Sequence, residues 1–318
     1  MRCVHFLVRQ MDESGAYTTE SDLGAYYKSL WLLHLAGRNH LAYRRLRYIK
    51  NTFLQSDGDF LTAPDLKTAN GVLVQYYPYT NGWIAMASHK LGRFDVAQPA
   101  HAFVKTFSDD AGGGYTIAAP FGEGDDVTEV FITSHLGLLS LYFGDIERAM
   151  RAGDFVLDVL HKQPDLDDGL YLRVAPTGDL ITSFPDDAAA LHVVKRTEPF
   201  QLYFFVGYPI AFLAKLYEAT GDSAYLTGAM DYLAFAQSCD ESLYSFNFSH
   251  KVGWAASIVA RLTGDTSARE TATRIADYLL SIQDASGGWL LDQPPLDHLD
   301  QSAEIATWLL ELSAELGA

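Results

Sequence analysis

Residues 283–289, QDASGGW, set a glutamine, a polar turn, two glycines and a tryptophan between two strongly helical stretches. Weaker copies recur along the chain. They are QMDESGAY (10–17), QSDGDF (55–60), SDDAGGGY (108–115), QPDLDDGLY (163–171) and QSCDESLY (237–244). Each ends in an aromatic and follows a segment of helical, amphipathic periodicity. In ARETATRIADYLLSI (268–282), for example, Ile275, Tyr278, Leu279 and Ile282 form one stripe.

A second signal alternates with the first. AGRNHLA (36–42), LGRFDVA (91–97), FGDIERA (143–149), TGDSAYL (220–226) and TGDTSAR (263–269) each close a more apolar helix with glycine. Glycine fits the left-handed C-cap, and Asp or Asn caps the helix that follows. These marks predict helices over 2–10, 20–36, 39–54, 72–91, 95–107, 126–143, 145–162, 198–219, 222–238, 248–263, 266–283 and 300–316. In each pair the helix before the glutamine turn is amphipathic. The helix after it, as in PFQLYFFVGYPIAFLAKLY (199–217), is apolar on more faces and therefore buried. Six buried helices inside six amphipathic ones make an all-α (α/α)6 barrel, with residues 1–318 read as one domain. The alternating stretch GLYLRVAPTGDLITSF (169–184) predicts a short β-hairpin insertion turning near Thr177-Gly178.

Gln283, Gly287 and Trp289 match Q-x-x-x-G-x-W, the QW motif of squalene and oxidosqualene cyclases. With its degenerate copies, the chain resembles the α/α-toroid terpenoid cyclase and prenyltransferase superfamily, near the non-canonical fungal humulene synthases. In that family the glutamine closes an outer helix while the aromatic stacks over it. The resemblance implies the fold, and it implies a terpene cyclase acting on a prenyl diphosphate.

Composition sets limits. The formal net charge of −17 argues against nucleic acid or an anionic membrane as the main partner. Cys3 and Cys239 lack metal-type spacing and fit a reducing, cytoplasmic setting. The opening MRCVHFLVRQ is too short and too charged for a signal peptide, and no apolar run reaches membrane-spanning length. Oligomeric state is left open.

The first turns of the six buried helices would gather at one mouth, where free N–H groups favour anions. DDVTE (125–129) is the sharpest candidate. Asp125, Asp126 and Glu129 would offer hard oxygens to Mg²⁺, and D-D-x-x-E is similar to the aspartate-rich motif of class I terpene synthases. Asp126 with Glu129 is equally a helix capping box. DLDD (165–168) is similar to the proton-donor motif of class II cyclases, but it runs into the hairpin and reads better as an exposed acidic turn. Lys28, Lys195, Arg196 and Lys251 are suited to phosphate oxygens. Tyr76, Trp83, Gln201, His250, Trp254 and Trp308 would line the pocket. His135, Tyr203 and Glu304 are the catalytic candidates.

The leading expectation is therefore a terpene-cyclase-like lyase that ionises an allylic prenyl diphosphate with Mg²⁺. The alternative is a carbohydrate-active α/α barrel, a sugar epimerase or uronide hydrolase. It would use His135 and His250, or paired carboxylates such as Glu129 and Glu304, without metal. A non-enzymatic barrel that binds an apolar or peptide partner is the third.

Overall fold

The computed structural model describes residues 2–117 and 126–317. Among them are thirteen α-helices and four short strands. The chain divides into two compact units, the first built from residues 2–107 and 282–307, the second from residues 108–117, 126–281 and 308–317.

In the first unit, α1 (Arg2–Arg9), α3 (Asn39–Thr52) and α6 (Phe94–Lys105) alternate with α2 (Tyr27–Leu35) and α5 (Tyr79–Lys90), with the short α4 (Gly71–Gln75) ahead of α5. Seven of nine α2 residues and ten of twelve α5 residues are buried, as expected for helices apolar on all faces. Helix α5 packs on α2 and α6, and α2 packs on α3. The predicted helix 72–91 is two helices, because Tyr76 leaves helical geometry and Pro78 removes a backbone donor. The last helix, α13 (Pro295–Leu316), gives its first part to this unit.

The second unit repeats the alternation. Buried α7 (Val130–Phe143), α9 (Phe204–Thr220) and α11 (His250–Thr263) follow one another, backed by α8 (Ile146–His161), α10 (Ser223–Ser238) and α12 (Thr266–Ser281). Helix α7 ends on Gly144 in the left-handed conformation, at φ 76°, as the sequence predicts. Close approach depends on missing side chains. A Cβ on Gly137 would sit 2.3 Å from Phe212, and one on Gly207 would sit 2.5 Å from the Lys251 backbone.

The insertion is more than a hairpin. A turn over Ala175–Asp179 returns Leu180 against Val174, as expected. Strand β2 (Gly169–Tyr171) also pairs antiparallel with β4 (Val193–Lys195), and β3 (Arg173–Val174) pairs with β1 (Thr128–Glu129), placing Arg173 opposite Glu129.

The glutamine turns do a common job. Gln283 donates to the Gly287 carbonyl at 2.9 Å, Trp289 is buried, and its N–H donates to Ser302 Oγ at 2.8 Å. Gly287, at φ 104°, lies against α1, where a Cβ would meet the Arg2 backbone at 2.6 Å. The turn after the last outer helix thus docks on the first outer helix. Gly15 approaches Arg44 on α3, Gly58 approaches Pro99 on α6, and Gly113 approaches Arg151 on α8 in the same way. In the first turn the aromatic, Tyr17, carries the Arg45 guanidinium 3.8 Å above its ring.

Candidate functional site

Polar residues of the buried helices gather in clusters within each unit. In the first unit, Lys28 of α2 lies 2.8 Å from Asp300 and 2.5 Å from Glu304, one turn apart on α13. Tyr79 of α5 donates to the other Glu304 oxygen at 3.3 Å. Burial opposes the charge on Lys28, but the two carboxylates prevail and raise its pKa. Burial raises that of Asp300, whose Oδ1 is buried with no hydrogen-bond partner among the described residues. Trp83 stands edge-on to Tyr27 and Tyr79, and Tyr76 is buried in the break before α5. A separate buried set joins Lys67, Asp59, Asn81 and Tyr77. Burial pulls the Lys67 ammonium down to about 8 against the pull of Asp59.

In the second unit, His135 of α7 shares a 3.1 Å hydrogen bond between its Nδ1 and Tyr208 Oη of α9. Tyr208 stands edge-on to Trp254 and Trp308, which stack at 4.1 Å. Lys251 of α11 is buried among the rings of Phe131, Phe204 and Tyr208. Its Nζ is 3.2 Å from Nε2 of His250, whose Nδ1 lies 2.6 Å from the Asn247 carbonyl. With Nδ1–H donated to that carbonyl, Nε2 is the basic nitrogen. Tyr203 begins α9 and bonds Ser242 at 2.9 Å.

Glu129 ends β1 and caps α7, its Oε2 accepting the Ile132 N–H at 2.7 Å. The side chain is fully buried and Oε1 has no hydrogen-bond partner among the described residues. Burial pushes the carboxyl up to about 7, against the hydrogen bonds of the cap and the nearby Arg173 charge. Asp126 is exposed three residues earlier, and Asp125 lies outside the described residues. The expected capping role of this motif falls to Glu129 itself, because α7 begins at Val130 rather than at 126. Among the described residues, no group of three His, Cys, Asp or Glu is arranged to hold a metal ion.

Lys195 and Arg196 do not begin a helix. They close β4 and pair with Asp168 at 3.2 Å and Asp167 at 3.3 Å. The DLDD stretch is thus an exposed acidic turn engaged with two basic residues. Gln201 accepts the Lys195 N–H at 3.2 Å. Sequence reading missed Tyr208 and Arg173. Tyr208 is one turn beyond Phe204 on a helix apolar throughout, and Arg173 acquires its partner only through the β1–β3 register. The Asp59–Lys67 pair carries no local spacing signal.

No protein-family model matches the chain, and no curated protein matches it in sequence. Solved structures do match. A family 76 α-mannanase of Bacteroides thetaiotaomicron aligns over 99% of this chain and 94% of its own, at TM-score 0.68 and 15% identity. A D-mannose isomerase aligns over 96% and 95%, at TM-score 0.69 and 13% identity. The α-1,6-mannanase of Salegentibacter sp. HEL1_6 aligns over 99% and 97%, at TM-score 0.61 and 12% identity. That structure is an inactive variant with two consecutive aspartates replaced by asparagine, in complex with α-1,6-mannotriose.

The chain has the α/α-toroid fold. These neighbours correct the leading functional expectation. They are named for carbohydrate chemistry, not for terpene cyclisation, so the lyase acting on a prenyl diphosphate with Mg²⁺ gives way to the carbohydrate-active alternative. The reason for the error is physical. The QW-type turn at 283–289 sets its glycine against the backbone of α1, a packing task that carries no chemistry. No helix among the described residues is long and apolar enough to cross a membrane.

Proposed function

We propose that the protein is a carbohydrate-active enzyme of one barrel domain that hydrolyses glycosidic bonds with the carboxyl groups of Asp125 and Asp126. One observation carries this reading. Two consecutive aspartates precede buried helix α7, in a fold matching a mannanase whose inactive variant lacks two consecutive aspartates. Three other such pairs exist in the chain, and each has a different setting. Asp109 accepts backbone N–H groups within its own turn, Asp167 and Asp168 pair with Arg196 and Lys195, and Asp186 and Asp187 sit on an exposed 3-10 turn. Glycoside hydrolysis needs two carboxyls, one giving a proton to the leaving oxygen and the other attacking or activating water. The β1–β3 pairing and the Glu129 cap hold the strand that follows Asp126.

A second reading has its own support. His250 has its tautomer set by the Asn247 carbonyl, and His135 is tied to Tyr208. A pair of imidazoles suits proton transfer on a sugar carbon, and a D-mannose isomerase shares the fold. Product analysis separates the two readings. The protein is incubated with α-1,6-mannotriose and, separately, with free mannose. Shorter saccharides appearing from the first support hydrolysis. A ketose or epimer appearing from the second, lost in His250→Gln and kept in Asp126→Asn, replaces it with isomerisation.

A further inference from the structure

Phe200 is out of keeping with its surroundings. It is 59% exposed, and its backbone lies in the left-handed region at φ 55°, which side chains other than glycine rarely adopt. Its N–H is tied to Ser242 Oγ at 2.7 Å, the same hydroxyl that bonds Tyr203. The ring packs edge-on against Phe246 at 5.4 Å, and the chain holds its remaining surface in solvent at the expense of backbone strain that glycine would relieve.

That ring borders a wide-open surface cavity of about 610 Å³ in the second unit. Tyr244 also lines it, with the Arg274 guanidinium 3.6 Å above its ring and 2.8 Å from Glu241. Asp240 and Asp277 complete the rim, and one Asp240 oxygen accepts the Ser242 N–H at 2.9 Å. The residues come from the segment entering α9, the segment entering α11 and the outer helix α12.

We propose that this cavity is a saccharide subsite that takes one neutral pyranose unit. The solvent-exposed part of the Phe200 ring offers an apolar surface to the C–H face of the sugar ring. Carboxylates and a guanidinium at the edge accept and donate to its hydroxyls. Three carboxylates stand against one guanidinium, so a uronate is repelled and a neutral sugar is preferred. The proposal rests on the carbohydrate-active reading and names a binding position away from Asp125 and Asp126.

The test uses the full-length protein and α-1,6-mannotriose, with glucuronic acid as the acidic probe. Binding is read by saturation-transfer NMR and calorimetry, and folding by thermal unfolding. Phe200→Gly is the informative variant, since it relieves the left-handed backbone while removing the ring. It should weaken mannotriose binding roughly tenfold, as truncating an aromatic anchor does, while the melting temperature holds or rises. Asp277→Asn should weaken neutral-sugar binding less and reduce rejection of glucuronate. Asp126→Asn should retain the Phe200-dependent binding. Wild-type affinity in Phe200→Gly, or equal affinity for glucuronate and mannotriose in the wild type, overturns the subsite. Loss of hydrolysis in Asp126→Asn with unchanged binding in Phe200→Gly overturns the subsite alone. Phe200-dependent binding without any turnover, in wild type as in Asp126→Asn, removes the hydrolytic reading instead.

Discussion

Lys28 on α2 and Glu304 on α13 meet as a buried ion pair across 276 residues of sequence. Asp300 shares the same ammonium. One lysine thus balances two carboxylates within a core that would not tolerate either alone.

Removing that ammonium should be costly. Lys28→Met leaves two carboxylates buried without their partner, a class of change that costs about 3–5 kcal/mol. Denaturant unfolding should show that loss, and Lys28→Met/Glu304→Gln should recover part of it. The carboxylates raise the Lys28 pKa above its unfolded value of 10.5. Its stabilisation is therefore complete below 10.5 and fades only as pH rises through the higher folded value. The difference between wild type and Lys28→Met should then change little between pH 6 and 9 from this group. An unchanged midpoint in the single variant would show that the cluster is not a charged one.

Glu129 gives a pH signature of the opposite kind. Its carboxyl rises from 4.5 to about 7 on folding, through burial. The folded state then binds more protons than the unfolded state between those values, so stability falls as pH rises through that window. At about 1.4 kcal/mol per pH unit, the effect is of order 3 kcal/mol. Glu129→Gln keeps an oxygen to accept the Ile132 N–H and has no proton to lose. Urea midpoints from pH 4.5 to 8 should decline in the wild type and flatten in the variant. Parallel curves would mean that Glu129 is ionised throughout.

The packing of α9 on α11 depends on Gly207. A methyl there would lie 2.5 Å from the Lys251 carbonyl carbon and 2.6 Å from the Val252 nitrogen. Backbone cannot yield as a flexible side chain can, so the helices must separate. Gly207→Ala should cost about 1–3 kcal/mol despite its better helix propensity. The shift of α11 should also disturb the contact between Lys251 and His250, visible as a change in the imidazole NMR signals. A stabilised variant would contradict the close approach.

How much of this was legible follows from the range of each signal. Alternating amphipathic and wholly apolar periodicities are local, and they locate the long helices of both units, though the starts of α2, α9 and α13 lie several residues from the expected positions. The break at Tyr76–Pro78 is local as well, since Pro78 removes a backbone donor. Lys28 and Glu304 were chosen from their place near the first turns of buried helices, and the structure brings them together. Lys195 and Arg196 were misplaced because a strand register decides where they go, and β2 finds β4 only across an intervening stretch. The chemistry was least legible. The most conspicuous motif serves to dock outer helices, and it drew the functional reading toward one toroid family among several.

Asp126 is where that reading meets a decisive experiment. The residue is exposed, ahead of β1 and outside the buried clusters, so Asp126→Asn should change stability by less than about 0.5 kcal/mol. If its carboxyl moves a proton in glycoside cleavage, the rate on α-1,6-mannotriose should fall about 10²–10⁴-fold. Asp125→Asn should fall comparably, since neither carboxyl substitutes for the other. Asp167→Asn serves as the control, because that residue lies on the exposed acidic turn beside Arg196, and its loss should leave turnover intact. The rates are compared at matched pH with thermal unfolding recorded on each variant. A wild-type rate in Asp126→Asn removes this pair from the chemistry. Equal losses in all three variants would point instead to a general effect of surface charge.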